Sequence, residues 1–404
     1  MQTHEIVSWI RKSLQADDYI DFRVELEGKN SATEGYTSDM VYAKITLAGA
    51  DRKHKQLNLA IKFGKKTLRQ LPMIKEVYMK EIYFYDKVMK VLEDFQNEKG
   101  IAEKFFGVPY CYKTYVDDKI EIIILENLSK RGYELHRRDL TMNLQHYKIV
   151  FKNLAKFHAL SLALRNKNEE LFNEIAKHFP INDNILTSCK ELFDKKIAFA
   201  IENLRESHRD DLADKLEKLL APGITNKIRE TVHASVDPVV IAHFDGHCNN
   251  FMFKYEKADK ETPIEVAILD WQAVKIHSPA IDLSYFFYSV GSKKELSEQK
   301  YLLKFYHDQC SSFLTKLGCN ADDVFPFSTL MDHWKKYSFY GFIYACCYMD
   351  FNYFDDDDAP NLDDLADGNN IADVLSKTIS IKNLDLYRKR LIAIVEHYFD
   401  DRFE

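Results

Sequence analysis

The sequence predicts an α+β fold in two lobes, a small one with an antiparallel sheet and one long helix, and a larger one that is mainly helical. Three observations predict it. To about residue 125, apolar residues alternate in short strand-like runs around a single long helical pattern. From about Asn143 the spacing is helical almost throughout. Within that helical stretch, residues 243–282 read as a loop, a β-hairpin and another loop, with polar groups at the hairpin's open end. The division falls at 1–125 and 126–404.

Met1–Leu14 carries Glu5 and Arg11-Lys12 among scattered apolar residues, which suits an amphipathic helix. It lacks the continuous apolar core of a signal peptide. Tyr19–Glu27 alternates like a strand, and Ser31–Asp39 leads to another, Met40–Leu47. Gly35 is the single glycine of that turn, so a multi-glycine phosphate fingerprint is absent and an ordinary hairpin turn suffices. Leu57–Phe63 is apolar but holds Lys62, either an edge residue or a partner for phosphate oxygens. Ile74 to about Phe95 is helical, with Val77, Ile82, Tyr85, Val88 and Met89 on its apolar face. A strand Lys paired with a Glu on the following helix holds α- and β-phosphates in kinases. Glu76 and Glu81 both compete for that role, and a solvated helix face would explain either.

Strands are expected at Phe105–Tyr112 and Ile120–Leu125, the second ending in Glu126-Asn127-Leu128. Leu144, Ile149, Leu154, Phe157 and His158 punctuate a long helix. Further amphipathic helices fill 170–235, broken at Pro180 and Pro222-Gly223. Asp282 is placed to cap a helix over Leu283–Val290. Residues 293–404 are helical again, with an aromatic stripe at Trp334, Tyr337, Tyr340, Tyr344 and Tyr348 that reads as core or as part of a pocket wall. Residues 355–358 form an acidic run expected in an exposed loop.

The stretch that carries chemistry is His243-Phe244-Asp245-Gly246-His247-Cys248-Asn249-Asn250, followed by the hairpin and Asp270. Phosphoryl transfer passes through a loose transition state, so a protein has to position groups and neutralise charge. Asp245 could accept a hydrogen bond from an attacking hydroxyl. Asn250 and Asp270 could supply the few hard oxygens that Mg²⁺ takes alongside water and phosphate. His243 would brace the loop backbone. Singly, each residue has an ordinary alternative as a cap, a solvated loop residue or a core histidine; the combined spacing points to catalysis.

These residues resemble the catalytic segment of the insect ecdysteroid kinase-like family, which is related to choline kinases and aminoglycoside phosphotransferases and shares the protein-kinase-like fold. The family wording is close to His-Gly-Asp-Leu-Trp-x-Asn-Asn. This chain has Phe244 in place of the glycine and Gly246-His247 in place of Leu-Trp. Further matches lie at Gly35-Tyr36-Thr37-Ser38, Lys80–Tyr85 and Leu154–Ala159, so the markers run in order along nearly the whole chain. The resemblance implies a nucleotide-binding first lobe, with Ser38 and nearby backbone N–H groups over the β- and γ-phosphates. It implies Glu81 as the partner of Lys62, and backbone groups of Glu126, Asn127 and Leu128 against the adenine edge. Asp245 becomes the catalytic base, Asn250 and Asp270 the metal ligands, Asp282 a brace for the catalytic loop, and His158 a structural neighbour of it.

Apolar residues at 46% and charged residues at 29% describe a soluble globular protein. A net charge of −7 argues against a nucleic-acid partner; Lys62, Lys65 and Lys66 suit a phosphate site better. Seven cysteines without a Cys-x-x-Cys pair read as reduced, mostly buried thiols, Cys248 among them as a packing residue. No run approaches the ~18 apolar residues of a membrane span, so a cytoplasmic location is expected. The expectation is an ATP- and Mg²⁺-dependent kinase for a hydroxyl of a small molecule, an ecdysteroid or related lipophilic alcohol by resemblance. A choline- or ethanolamine-type kinase and a catalytically silent binder of a hydrophobic ligand are the alternatives. The oligomeric state is left open.

Overall fold

The computed structural model describes residues 3–14, 21–29, 38–48, 54–65, 68, 72–256, 260–353, 371–375, 381 and 383–401. Gly35 to Thr37, Lys66 and the acidic run at 355–358 lie outside the described residues.

Five strands build the small sheet: β1 (Asp21–Lys29), β2 (Ser38–Ala48), β3 (His54–Gly64), β4 (Cys111–Val116) and β5 (Glu121–Glu126). Their order is β1-β2-β3-β5-β4, with every neighbouring pair antiparallel. The unbroken apolar run of β5 has a physical reason, because both of its faces are covered. Ile122 and Ile124 join a core with Ile6 and Ile10 of the first helix, Thr3–Ser13. Ile123 and Leu125 join the larger core instead. The long helix expected from Ile74 runs as Pro72–Tyr83, a π-helical turn Phe84–Val88, and Met89–Glu98. That turn aligns Phe84 with Trp271, rings stacked at 4.0 Å and 7°.

The strand expected over Phe105–Tyr112 forms later, as β4. Residues 105–110 are held by other partners: Phe105 N–H donates to Gln96 Oε1 at 2.6 Å, and Gly107 O accepts from Ile268 N–H at 2.8 Å. Pro109, which lacks an N–H, disfavours a ladder there.

In the larger lobe, Leu144–Lys167 is capped by Asn143, whose side chain accepts from the Gln145 and His146 N–H groups. The central hairpin is β8 (Phe251–Tyr255) with β9 (Pro263–Ile268), joined at its edge by β6 (Tyr133–Leu135). A separate two-stranded ladder pairs β7 (Val240–Ala242) with β10 (Lys275–His277). Helix Ala280–Val290 is buried at every residue. It crosses Phe339–Tyr348 so closely that a Cβ on Gly341 would lie 2.1 Å from the Ser284 backbone carbon. Among the described residues all seven cysteines are free, six of them buried, and no helix is long and apolar enough to cross a membrane.

Candidate active site

Two short loops, one after β7 and one after β9, meet under the small sheet. The first carries His243 to Asn250 and the second carries Asp270. His243 ties them together: its Nδ1 accepts from the Asp245 N–H at 3.3 Å, and its Nε2–H donates to Leu269 O at 2.8 Å. These bonds fix the tautomer and place His243 as a positioning residue, buried behind the loop rather than facing the cleft. Asn250 Nδ2 donates to Asp245 O at 2.9 Å, and Leu269 N–H donates to Asn250 O at 2.8 Å. Because the amide is planar, Asn250 Oδ1 lies on the opposite branch from that donor.

Asp282 supports the same loop from below, and here the expected helix cap is corrected. The helix begins at Ala280 with Pro279 at the cap position, so Asp282 lies inside the first turn. Its two oxygens accept from the backbone N–H groups of His243 and Phe244, both at 2.8 Å, and from His158 Nε2 at 3.1 Å. His158 is anchored in turn by Tyr306 Oη at 2.8 Å. Burial would raise the Asp282 carboxyl, but His158, His243 and the loop N–H groups outweigh it and hold it below the usual value.

Lys62 Nζ lies 2.7 Å from Glu81 Oε2 and 2.6 Å from Asp270 Oδ1. Burial opposes its charge, but Asp270 and Glu81 prevail and raise its pKa. Burial also pushes the Glu81 carboxyl up, against the pull of Lys62. Glu76 does not meet Lys62; it pairs with Lys80 at 2.9 Å and accepts from Asn182 at 2.9 Å. In the β2–β3 ladder Ser38 pairs with Gly64 and Met40 with Lys62, so Ser38 is on the same face as Lys62.

At the end of β5, the N–H groups of Glu126 and Asn127 are already engaged, by Tyr110 O and Asn58 O. The Glu126 carboxylate accepts from Tyr110 N–H and Arg131, and Asn127 Oδ1 caps the turn at Ser129. This narrows the backbone donors of 126–128 open to a nucleotide edge to Leu128.

Two backbone conformations in the site are strained. Asp270 has φ 61° and Phe244 φ 67°, in the left-handed region that favours glycine. Phe244 is held there by its bond to Asp282, by Tyr340 Oη donating to its carbonyl at 3.1 Å, and by its buried ring against Tyr340 and His277. Gly246 keeps the loop close to helix Ala280–Val290: an added Cβ would meet the Phe286 backbone nitrogen at 3.0 Å. His247 lies 3.7 Å from Asp245. Burial would lower its pKa, but Asp245 raises it to about 9.

Asp245 opens onto a cavity of ≈ 470 Å³. Its walls are largely apolar, from Ile74, Val77, Phe193, Ile228, Tyr340 and Tyr344. The aromatic stripe thus divides: Trp334 packs on Phe287 in the core, while Tyr340, Tyr344 and Tyr348 line this cavity. Lys80 and Lys275 also line it, with Arg138 and His247; no role in a cavity is legible for the two lysines in the sequence, since their elements meet only in the fold.

A metal here would find two hard oxygen donors, the Asp270 carboxylate and Asn250 Oδ1, the set that suits Mg²⁺ completed by phosphate and water. Among the described residues no three His, Cys, Asp or Glu side chains converge on one metal position.

Fold and candidate site together have the two-lobed arrangement of a kinase-like protein. The chain belongs to the ecdysteroid kinase-like family, whose profile matches residues 32–319. No curated protein matches it. Among solved structures, the GDP complex of wild-type aminoglycoside 2'-phosphotransferase-IIIa is similar over 99% of this chain and 100% of its own, at 13% identity and a TM-score of 0.46. Glucosamine kinase in complex with glucosamine, ADP and inorganic phosphate is similar over 86% and 93%, at 11% identity and a TM-score of 0.34.

Proposed function

We propose that the protein transfers the γ-phosphoryl group of ATP, with Mg²⁺, to a hydroxyl of a lipophilic alcohol, an ecdysteroid or a related molecule. The observation that carries this is the position of Asp245. It stands between a largely apolar cavity large enough for such an acceptor and the cluster of Lys62, Glu81, Asn250 and Asp270. In this reading Lys62, oriented by Glu81, holds the α- and β-phosphates, Ser38 covers the phosphates, and Leu128 N–H meets the adenine edge. Asp245 orients the acceptor hydroxyl and receives its proton late in transfer. When bound between Asn250 and Asp270, Mg²⁺ would supply charge neutralisation on the phosphate oxygens.

A choline-type acceptor fits less well, because a cation would share its cavity with Lys80 and Lys275. The experiment is transfer of label from γ-labelled ATP, with Mg²⁺, across a panel of ecdysteroids, other hydroxylated lipophilic compounds and choline. Labelled ecdysteroid or lipophilic alcohol is the expected product. Label on choline alone would reverse the order of acceptors, and no transfer to any member would make this a silent binding protein.

A further inference from the structure

Lys275 is engaged with neither the nucleotide cluster nor the metal ligands, yet it lines the acceptor cavity beside the catalytic loop. It starts β10, whose pairing with β7 holds it next to the residues that lead into His243. Its Nζ donates to Ala273 O at 3.2 Å and stands 4.4 Å from the centre of the Phe244 ring. Among the described residues no carboxylate comes within ion-pair distance of it. The neighbouring Lys80 is balanced by Glu76 at 2.9 Å. Of the acids on the cavity wall, Asp183 is engaged by Arg229 and His233 at 2.9 and 2.8 Å, and Asp245 has His247 at 3.7 Å. The cavity therefore presents a half-buried ammonium among largely apolar walls, with a carbonyl and an aromatic ring at hand but no ion-pair partner, a position that an anionic ligand group would complete. Burial and then Lys80 lower this group to about 8, against the more distant pull of Asp245, Glu76 and Asp282, which still leaves it mostly charged at neutral pH.

We propose that Lys275 selects the acceptor by pairing with a carboxylate on it, so that the cavity takes an amphiphilic hydroxy acid with its hydroxyl presented to Asp245. This rests on the reading of the cavity as the acceptor site. Within the lipophilic alcohols it places acceptors that carry an anionic group within reach of both residues ahead of neutral ones such as an unmodified ecdysteroid. A second role for Lys275, holding Phe244 in place through the ring contact, predicts a loss of stability and no discrimination between acceptors.

The test is calorimetric binding, without nucleotide, of ω-hydroxy fatty acids of increasing chain length and of their methyl esters. The wild-type protein should bind the best acid about tenfold or more tightly than its ester. Lys275→Met and Lys275→Gln should bring that ratio close to one, and Lys275→Arg should retain most of it. A wild-type protein without preference, or a preference that survives both neutral variants, overturns the proposal. So does a Lys275→Met variant whose transfer rate falls equally on acids and esters, since that would put Lys275 on the transferred phosphate. Should the neutral variants not fold, the wild-type ratio decides. Label transfer to the bound acids is scored separately. Preference without transfer contradicts the kinase reading alone, and transfer without preference contradicts the role of Lys275 alone.

Discussion

Phe244 shows two energies competing at one position. Its φ of 67° puts a side chain where one costs about 1–2 kcal/mol. Its ring is nevertheless 2% exposed and packs on Tyr340 and His277 under the Lys275 ammonium. Truncating such a ring costs about 3–5 kcal/mol, so packing outweighs strain. Phe244→Gly should therefore destabilise the protein by about 1–4 kcal/mol in denaturant titration and widen the cavity. A more stable variant would mean that strain dominates. The substitution of glycine by phenylalanine is visible in the sequence, but its consequence is not, because the bonds that hold the loop come from residues as distant as Asp282 and Tyr340.

Helix Ala280–Val290 does more for the loop than a cap would. Asp282, in its first turn, binds its proton less tightly in the folded protein than at its ordinary value of 3.8. Its contribution to stability is thus full above that value and lost as the pH falls through the lower folded one. Asp282→Asn should destabilise the protein at neutral pH, and its stability should fall less steeply with acid below about pH 4 than that of wild type. Parallel acid slopes would place the loop's support elsewhere. The same helix sets the approach of Phe339–Tyr348. Gly341→Ala puts a Cβ 2.2 Å from the Tyr285 nitrogen and should cost about 1–3 kcal/mol or more through overpacking, while shifting Tyr340 and Tyr344 in the cavity wall. Unchanged melting would show that the helix pair separates freely. The helical spacing of Leu144–Lys167 and the unbroken apolar run of β5 were legible in the sequence. The helix start at Ala280 was not, since Asp282 read as the start signal.

Across the molecule, the polar half of the site was far easier to read than the apolar half. Asp245, Asn250 and Asp270 belong to one hairpin with its flanking loops, and Lys62 and Glu81 to a strand and the helix after it, so spacing carries them. The cavity draws on residues from Leu68 to Leu375, and no local pattern announces which faces of those helices converge. Hence two of its basic members, Lys80 and Lys275, emerged only from the structure. The proposed kinase reading rests on a base poised between cavity and cluster, and Asp245→Asn tests it most directly. The variant keeps the shape of the side chain and removes the charge that accepts the hydroxyl proton. Transfer rate, ATP affinity and melting temperature should be measured on one preparation, with the acceptor that takes label in the wild type. The expected result is a rate lowered by roughly 10²–10⁴-fold, with ATP affinity and melting temperature close to wild type. A rate per folded molecule that stays at the wild-type level, whatever the melting temperature does, would contradict the assignment of Asp245 as the base.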